Sequence, residues 1–264
     1  MSLELELRDL AADIAHETGE LARRRRQEGV SLAATKTTLA DIVTEADREV
    51  EELIRARLRT ERPGDGFLGE ESGAGSSATG ITWVVDPIDG TVNYAYGIPG
   101  YNVSIAAVRG VVEPGSWEAL AAAVFAPALR ELFTAARGEG AWLDGVRLAV
   151  TSETPAGALL ATGFGYDPET HDGDLLTVRR VMTMARDLRR MGAAALDLAY
   201  VAAGRLDGYL ERGLKPWDMA AGSLLVEEAG GRVSLLDVDS PRPMLVAGGT
   251  LVHDRLLTLL AEES

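Results

Sequence analysis

Apolar residues near the start of the chain recur at helical spacing and predict two long helices. The two sets are Leu7, Leu10, Ile14 and Leu21, then Val50, Leu53, Ile54 and Leu58. The first helix is predicted over residues 3–28 and the second over about residues 44–60, with Pro63 just beyond its end. Thr44 and Asp47 form a capping pair at the start of the second helix.

Shorter apolar runs, some alternating with polar or small residues, predict strands in the rest of the first half. These strands lie near residue 67 and over 81–85, 101–108, 120–125 and 131–135, and the last two form a hairpin. The small, polar stretch 73–80 predicts a mobile surface loop. Pro87 is expected to stop the strand that contains Val85, because it offers no N–H to a neighbouring strand.

Beyond about residue 150, strands and helices alternate, which is typical of a mixed α/β fold. Strands are predicted near Leu159, Leu188, Tyr209, Val233 and Leu245, and helices over 174–186, 194–203, 219–229 and 253–262. We therefore divide the chain into an N-terminal α+β half, residues 1–147, and a C-terminal α/β half, residues 148–264. Because no long linker separates them, the halves are expected to share a tight interface.

The composition is that of an ordinary soluble globular protein. Of the 264 residues, 46% are hydrophobic and 25% are charged. The longest apolar stretch, 119–129, is too short to cross a bilayer, so no membrane partner is expected. The acidic N-terminus does not resemble a signal peptide, which makes the cytoplasm the expected compartment. The absence of cysteine excludes disulfides, thiolate metal sites and cysteine nucleophiles.

The net charge of −15 argues against nucleic acid as a general partner, since nucleic-acid binding needs a basic face. It also opposes an anionic substrate, unless bound divalent cations invert the local field. The one basic run is Arg23–Arg26. We interpret it mainly as a helix C-terminal turn that Gly29 ends, and a partner-binding patch is the alternative.

The sequence W-V-V-D-P-I-D-G-T, residues 83–91, carries the strongest functional signal. A buried strand leads into Asp86, and Asp89, Gly90 and Thr91 are the residue types of a tight turn at a helix start. Two carboxylates three residues apart suit a hard divalent cation. The N–H groups of a helix start suit a phosphate. The segment therefore predicts metal-assisted phosphoryl chemistry.

Other acids stand beside turn or cap signals elsewhere in the chain. They are Asp41 with Asp47, Glu70 with Glu71, and Asp218. Taken singly, each has a simpler interpretation: Asp47 and Asp218 as helix caps, and Glu71 as a solvated neighbour. Their position at element boundaries nevertheless allows side chains distant in sequence to converge on one point.

Together these segments resemble the inositol monophosphatase family. The matching motifs are V-T-E-A-D at 43–47, G-E-E at 69–71, D-P-I-D-G-T at 86–91, W-D-M-A-A-G at 217–222 and E-E-A-G-G at 227–231. The resemblance extends over roughly residues 30–260, and the pairing of D-P-I-D-G-T with a distant W-D is highly specific. It implies a five-layered αβαβα sandwich and a homodimer, the usual state of the family.

The resemblance implies a set of ligands for Mg²⁺. Glu70 and Asp86, with the carbonyl of Ile88, would hold a first ion. Asp86, Asp89 and Asp218 would hold a second, so that Asp86 bridges the two. Glu70 would also support a looser third ion. Paired metals clamp the attacking and leaving oxygens of an in-line displacement, which agrees with this assignment.

The resemblance also implies the groups that act on water and phosphate. Asp47 and Thr91 would hold and deprotonate the attacking water, and Glu70 belongs with them to the catalytic set. The backbone N–H groups of Gly90 and Thr91 would receive the phosphate. Phosphate-monoester hydrolysis is among the slowest uncatalysed reactions, so strong transition-state stabilisation is required.

The residues that select the substrate are expected in the second half. The matched small residues are Gly192, Ala193 and Ala194. They would let a sugar ring approach the backbone, although a close-packed helix start explains them equally well. Glu211 matches a glutamate that hydrogen-bonds ring hydroxyls, a task shared with Asp89. An acid facing neutral hydroxyls disfavours a second phosphate on the substrate.

Two lysines are further candidates. Lys36 precedes Asp41, where the family often has a lysine near the metal site. Lys215 departs from the family pattern and either reaches a substrate phosphate or is solvated, and we favour solvation. The histidines His16, His171 and His253 lie outside every motif and are interpreted as surface or structural residues.

The predicted function is Mg²⁺-dependent hydrolysis of myo-inositol 1-phosphate and related monophosphates, with inhibition by Li⁺ implied by the resemblance. One alternative is the same chemistry on histidinol phosphate or a nucleotide 2′- or 3′-phosphate. An alternative of another class is a regulatory or scaffold protein that binds transcription or ribosome components.

Overall fold

The computed structural model describes residues 1–29, 32–35, 42–152, 154 and 156–261. Lys36 and Asp41 lie outside the described residues, so their predicted place near the site stays a prediction. No helix within the described ranges is long and apolar enough to cross a membrane.

Two sheets form the first half of the chain. A short antiparallel pair consists of β1 (Leu32–Thr35) and β2 (Ile42–Thr44). The large sheet contains β3 (Gly66–Gly69), β4 (Gly73–Gly75), β5 (Ile81–Asp89), β6 (Asn102–Gly110), β7 (Trp117–Ala126), β8 (Glu131–Ala136), β9 (Gly140–Leu143) and β10 (Val146–Arg147). Its spatial order is β10-β9-β8-β7-β6-β5-β3-β4, and it is antiparallel except where β3 pairs with β5.

The large sheet is covered on both faces. Helices α1 (Leu3–Glu28) and α2 (Glu45–Glu61) pack on one face, where they share a core with Trp83 and Val85. Val84 points the other way and joins a second core. Because successive strand residues face opposite sides and both sides are buried, the segment Trp83–Val85 of β5 is continuously apolar rather than alternating.

A five-stranded sheet organises the second half. Its strands are β11 (Ala158–Thr162), β12 (Ala185–Arg189), β13 (Gly208–Arg212), β14 (Arg232–Leu236) and β15 (Met244–Gly248), in the order β12-β11-β13-β15-β14. Strand β11 is parallel to β12 and β13, and the other pairs are antiparallel. The remaining helices are α3 (Thr91–Tyr96), α4 (His171–Val181), α5 (Ala194–Ala202), α6 (Pro216–Glu228) and α7 (Thr250–Ala261), with a 3₁₀ turn at Pro168–Thr170.

The layers follow from which core each helix joins. Leu198 of α5 and Leu224 of α6 share a core with Val84 of the large sheet and Tyr209 of the small one, so α5 and α6 lie between the sheets. On the outer face of the small sheet, α4 and α7 share a core with its strands. The result is the predicted five-layered αβαβα sandwich.

Three sequence expectations were wrong in detail. Gly73–Gly75 is not loop but β4, because pairing with β3 uses only backbone groups. Pro87 does not end β5, which continues to Asp89. The register of β5 against β6 shifts between Asp86 and Asp89, so the N–H that Pro87 lacks is not needed for a hydrogen bond between the strands. The helix expected over 174–186 ends at Val181, since the chain turns there into β12.

Candidate active site

Gly90 fixes the turn between β5 and α3. Its φ is +87°, in the left-handed region that favours glycine. A Cβ at this position would lie 2.8 Å from the Gly100 carbonyl oxygen and 3.1 Å from the Cβ of Ala193. Ala193 belongs to the second half of the chain, so the predicted phosphate-binding turn lies where the two halves meet.

The Thr91 hydroxyl faces Asp47 across this turn. It lies 3.3 Å from Asp47 Oδ1 and 3.0 Å from the Ile88 carbonyl oxygen, and it can donate to either. Asp47 also accepts hydrogen bonds from the backbone N–H of Thr44, at 2.7 Å, and from its hydroxyl. Asp47 is therefore both the predicted helix-capping residue and a partner of Thr91.

Asp47 has a higher pKa than an ordinary aspartate. Its side chain is buried, and burial raises its pKa to about 6, although the hydrogen bonds from Thr44 oppose this rise. The negative charge of Glu71 raises the pKa further, while the Thr91 hydrogen bond lowers it. A carboxylate with a pKa in this range can accept a proton near neutral pH.

Parallel pairing of β3 with β5 places Glu70 beside Asp86. Gly69 is in register with Val85, and the N–H of Glu70 donates to the Val85 carbonyl at 3.2 Å. Glu70 and Asp86 are therefore the next residues along two neighbouring, parallel strands and lie at the same end of both. Asp86 is buried, and its Oδ1 accepts the Ile88 N–H at 3.1 Å.

The predicted metal ligands lie close enough to repel one another. Burial raises the pKa of Asp86 well above its ordinary value, and the negative charges of Glu70, Asp89 and Asp218 raise it further. Burial likewise raises the pKa of Asp218, with Asp89 and Glu70 contributing. Acids from three separate segments of the chain thus share one electrostatic environment.

Asp89 connects the two halves of the molecule. Its Oδ2 accepts from the Asn102 side-chain amide at 2.7 Å and from the Ala195 N–H at 2.8 Å, and its Oδ1 accepts from the Ala194 N–H at 3.2 Å. Burial raises its pKa, and these hydrogen bonds oppose the rise. Since the two N–H groups belong to the first turn of α5, Asp89 fixes where that helix begins.

Asp218 reaches the site from the first turn of α6. The helix begins at Pro216, so the interpretation of Asp218 as its N-cap was wrong. Asp218 nevertheless helps to cap the helix, because its Oδ2 accepts the Lys215 N–H at 2.7 Å. The neighbouring Trp217 packs against the core between the sheets, and its carbonyl accepts from the Ser104 hydroxyl at 3.3 Å. This packing anchors the start of α6.

This site offers a metal oxygen ligands from carboxylate side chains. Among the described residues, no three acidic or histidine side chains converge as a formed metal cage. Asp86, Asp89 and Asp218 instead turn oxygens toward backbone N–H groups. Their mutual repulsion is what a divalent cation relieves, and carboxylate oxygens are the ligands that Mg²⁺ prefers, so the donor set fits this ion.

Glu211 lies at the opposite side of the site, at the end of β13. Its Oε2 accepts a short hydrogen bond from the Tyr209 hydroxyl. Burial raises the pKa of Glu211 to about 7, whereas the Tyr209 bond and the positive charge of Arg190 lower it. A Cβ added to Gly163 would lie 2.0 Å from this carboxylate oxygen, so the loop after β11 is in direct contact with Glu211.

Two asparagines were missed by sequence reasoning. Asn102 orients Asp89, as described above. The side-chain amide of Asn93 donates to the Gly100 and Met191 carbonyls, both at 2.7 Å, and so ties α3 to the segment that contains Gly192. Both are buried polar residues, and the sequence around them gave no sign of their partners.

The remaining candidates are peripheral to this geometry. Lys215 is exposed, which agrees with the solvated interpretation. His253 is buried against the Ser234 hydroxyl at 3.0 Å, and the ring of His16 lies 4.8 Å from that of Phe125. His171 lies 2.9 Å from the Gly165 carbonyl oxygen. All three histidines have structural contacts outside the acidic site.

Two arginines of the basic run at the end of α1 form ion pairs with acids. Arg23 pairs with Glu20 at 2.8 Å, and Arg25 pairs with Glu49 at 2.6 Å and with Glu28 at 2.7 Å. The N–H of Gly29 caps the helix by donating to the Arg25 carbonyl. The interpretation of this run as a helix C-terminal turn is thus confirmed.

Comparison with known proteins places the chain among phosphatases. A model of the inositol monophosphatase family matches residues 4–264. The inositol-1-monophosphatase SuhB of Mycobacterium tuberculosis is 42% identical over 278 residues, which is 96% of this chain and 93% of that protein. The Nus factor SuhB of Pseudomonas aeruginosa is 40% identical over 265 residues, covering 96% and 94% of the two chains.

Solved structures agree. The crystal structure of the extragenic suppressor protein suhB from Bartonella henselae has a TM-score of 0.87 and 35% identity, over 98% of this chain and 100% of that one. The structure of Mycobacterium tuberculosis SuhB has a TM-score of 0.83 and 42% identity, over 98% and 96%. The chain belongs to the inositol monophosphatase family.

Proposed function

We propose that this protein is a Mg²⁺-dependent phosphatase that hydrolyses myo-inositol 1-phosphate and related monophosphates. The observation that carries the proposal is the register of β3 with β5, which sets Glu70 beside Asp86 next to the Gly90 turn, where the charge of Asp218 also acts. These acids come from separate segments, and folding brings their charges together despite their repulsion. The relatives named inositol-1-monophosphatase support the choice of substrate.

The residues that would hold Mg²⁺ are Glu70, Asp86, Asp89, Asp218 and the carbonyl of Ile88. When bound, the ions lower the pKa of a coordinated water and neutralise charge on the leaving oxygen. The carboxylates would replace only part of the hydration shell of the ions, because Mg²⁺ usually keeps several of its waters. This role accounts for why Asp86 and Asp89 are buried although, within the described part of the chain, their hydrogen bonds come from backbone and amide N–H groups.

The Thr91–Asp47 pair would activate water, and the hydrogen bond between the two side chains supports this role. When the Thr91 hydroxyl donates to Asp47, its oxygen can still accept a hydrogen bond from water. A proton from that water would pass to the Thr91 oxygen as the hydroxyl proton of Thr91 passes to Asp47, whose pKa is raised to about 6. The backbone N–H groups of Gly90 and Thr91, at the start of α3, would bind the phosphate oxygens.

Glu211 and the start of α5 would bind the leaving alcohol. Glu211 is held by Tyr209, so its orientation is fixed before substrate arrives. Ring hydroxyls would donate to this carboxylate and accept from the backbone near Ala194. A second phosphate would meet a negative charge there, which disfavours bisphosphates. The proposed preference is therefore for a monophosphate of a neutral polyol.

The test is phosphate release from myo-inositol 1-phosphate and a panel of other monoesters, with and without Mg²⁺. Asp86→Asn should lower kcat/KM by about 10³-fold, since one metal or oxyanion contact contributes several kcal/mol. The matched control is Asp239→Asn, at an exposed aspartate. Near-normal turnover by folded Asp86→Asn refutes the proposal. A tenfold higher kcat/KM for histidinol phosphate or a nucleotide phosphate replaces the inositol assignment.

The regulatory alternative rests on relatives such as the Nus factor SuhB of Pseudomonas aeruginosa. In the basic run that favoured this role in the sequence, Arg23 and Arg25 are paired with Glu20, Glu28 and Glu49. A pull-down of transcription components by both the wild type and Asp86→Asn, lost on Arg24→Glu, would support this role.

A further inference from the structure

A cavity of about 310 Å³ opens where α1 packs against the large sheet. His16, Glu20 and Arg23 line it from one face of α1, and the turns that follow β7 and β9 contribute Arg130 and Asp144. Its lining residues, all within the described part of the chain, include none of those proposed to bind metal or substrate. The volume falls within the range of small-molecule sites.

Arg130 brings a positive charge to this cavity without a carboxylate partner. Within the described ranges, its side chain forms neither an ion pair nor a hydrogen bond. The acid next to it, Glu131, pairs instead with Arg205 at 2.6 Å, and Glu20 pairs with Arg23 at 2.8 Å. The Arg23 hydrogen bond lowers the pKa of Glu20, and the charge of Arg130 adds to this effect, so Arg130 lies near the Glu20–Arg23 pair. The guanidinium of Arg130 is therefore available to an anionic group.

Asp144 brings a negative charge to the same cavity. Its Oδ1 accepts the Leu132 N–H at 3.2 Å, and its own N–H donates to the Leu132 carbonyl at 3.1 Å. These two bonds fix its position in the turn after β9. Among the residues that the structure describes, no basic side chain pairs with its carboxylate, which can accept further hydrogen bonds. Asp144 and Arg130 thus line one cavity, and neither neutralises the other.

The floor of the cavity is apolar and closely packed. The ring of His16 lies 4.8 Å from that of Phe125, at an angle of 34°. Phe125 fits against α1 because residue 19 is glycine, where a Cβ would lie 2.4 Å from the Phe125 ring. Leu132 is partly buried and packs against the same core. These side chains are held in place before a ligand arrives, so little ordering is required when one binds.

We propose that this cavity binds a free α-amino acid with an apolar side chain. The carboxylate of the amino acid would pair with Arg130, its ammonium group with Asp144, and its side chain would pack on Phe125 and Leu132. A zwitterion supplies a partner to each charge, whereas a simple anion would leave Asp144 unpaired and a simple cation would leave Arg130 unpaired. The inference does not depend on the proposed phosphatase function, because the cavity shares no residue with that site.

Isothermal titration calorimetry of the whole chain with L-leucine tests this assignment. L-leucine should bind with a Kd of about 1 mM or lower. Two compounds of the same carbon chain lack one charge each: 4-methylpentanoate lacks the ammonium group, and 3-methylbutylamine lacks the carboxylate. Both should bind at least about tenfold more weakly, because each loses one charge-assisted contact. Glycine, which lacks the side chain, should also bind more weakly. Mg²⁺ should not change the affinity for L-leucine.

Substitutions locate the binding. Arg130→Gln and Asp144→Asn should each weaken L-leucine binding about tenfold. Asp144→Asn keeps the contact with the Leu132 N–H, because an amide oxygen also accepts it. The matched controls are Arg59→Gln, at an exposed arginine, and Asp237→Asn, at another aspartate with positive φ, +54°. Both controls should keep the affinity of the wild type, and thermal melts show whether each variant is folded.

Three results would overturn the amino-acid site. The first is no binding of L-leucine at about 10 mM. The second is equal affinity for L-leucine and 4-methylpentanoate, since the ammonium group would then not be recognised. The third is unchanged affinity in folded Arg130→Gln, which would place L-leucine elsewhere on the molecule. Each result leaves the proposed phosphatase function standing, because that function is measured by phosphate release.

Discussion

Replacing Gly90 with alanine tests whether the turn between the two halves is as constrained as its geometry indicates. The φ of +87° costs an L-residue about 1–2 kcal/mol. The added Cβ would also lie 2.8 Å from the Gly100 carbonyl oxygen, a backbone atom that cannot rotate away. Overpacking of this kind typically costs a further 1–3 kcal/mol or so. Gly90→Ala should therefore lower the free energy of unfolding by about 2–5 kcal/mol.

Gly80→Ala separates the two contributions. Gly80 has a similar φ of +79°, but a Cβ there would meet nothing within 4 Å. This control should lose only the conformational part, about 1–2 kcal/mol. Urea denaturation of both variants measures the difference, and the slope of unfolding against urea should be unchanged.

Activity provides a second measurement. Gly90→Ala shifts the N–H groups proposed to bind phosphate, so the folded variant should lose about 10²-fold or more in kcat/KM, as when one such donor is removed. Gly80→Ala should keep the kcat/KM of the wild type. Equal destabilisation of the two variants, or full activity in Gly90→Ala, would show that the turn relaxes without cost and would refute the reasoning.

The remaining predictions concern Glu211 and pH. Gly163→Ala places a Cβ 2.0 Å from a carboxylate oxygen of Glu211 and must displace this group from its bond with Tyr209. KM for myo-inositol 1-phosphate should therefore rise severalfold and the urea midpoint should fall; an unchanged KM would contradict this. In EDTA, the raised pKa values of Asp47, about 6, and Glu211, about 7, mean that the folded chain binds more protons than the unfolded one, so stability should fall as pH rises from 5 to 8. Thermal melts that show higher stability at pH 8 would contradict this. Added Mg²⁺ should restore stability at pH 8, because it binds the folded state.

Local patterns in the sequence predicted much of the fold, because burial dictates them. The apolar run at Trp83–Val85 marks a strand buried on both faces, and the capping pair Thr44–Asp47 marks the start of α2. Strand β4 was missed, because Gly73–Gly75 has no side-chain pattern and exists only through pairing with β3. The effect of Pro87 was misjudged, because a shift in register is a property of two strands together.

The candidate site also divides into features that local patterns predict and features that only the tertiary fold creates. Motifs predicted the acids at element boundaries, since a motif preserves local geometry, and the family resemblance implied the pairing of Thr91 with Asp47. The contact between Asn93 and Met191 was not predicted, because the two residues are 98 positions apart and nothing local relates them. The contacts of Asp89 with the first turn of α5 are likewise a product of the tertiary fold.

The position of Asp89 links two equilibria: binding of the cation, and packing of α5 of the second half against the first half. The carboxylate proposed to bind Mg²⁺ also accepts the N–H groups from which α5 starts, so whatever changes its charge changes how firmly that helix is seated. By reciprocity, a substitution that loosens α5 far from the acids lowers the affinity of the site for the ion. Withdrawal of the ion in turn loosens α5 by the same free energy. Amide exchange in α5 therefore reports on metal occupancy without any probe of the metal itself.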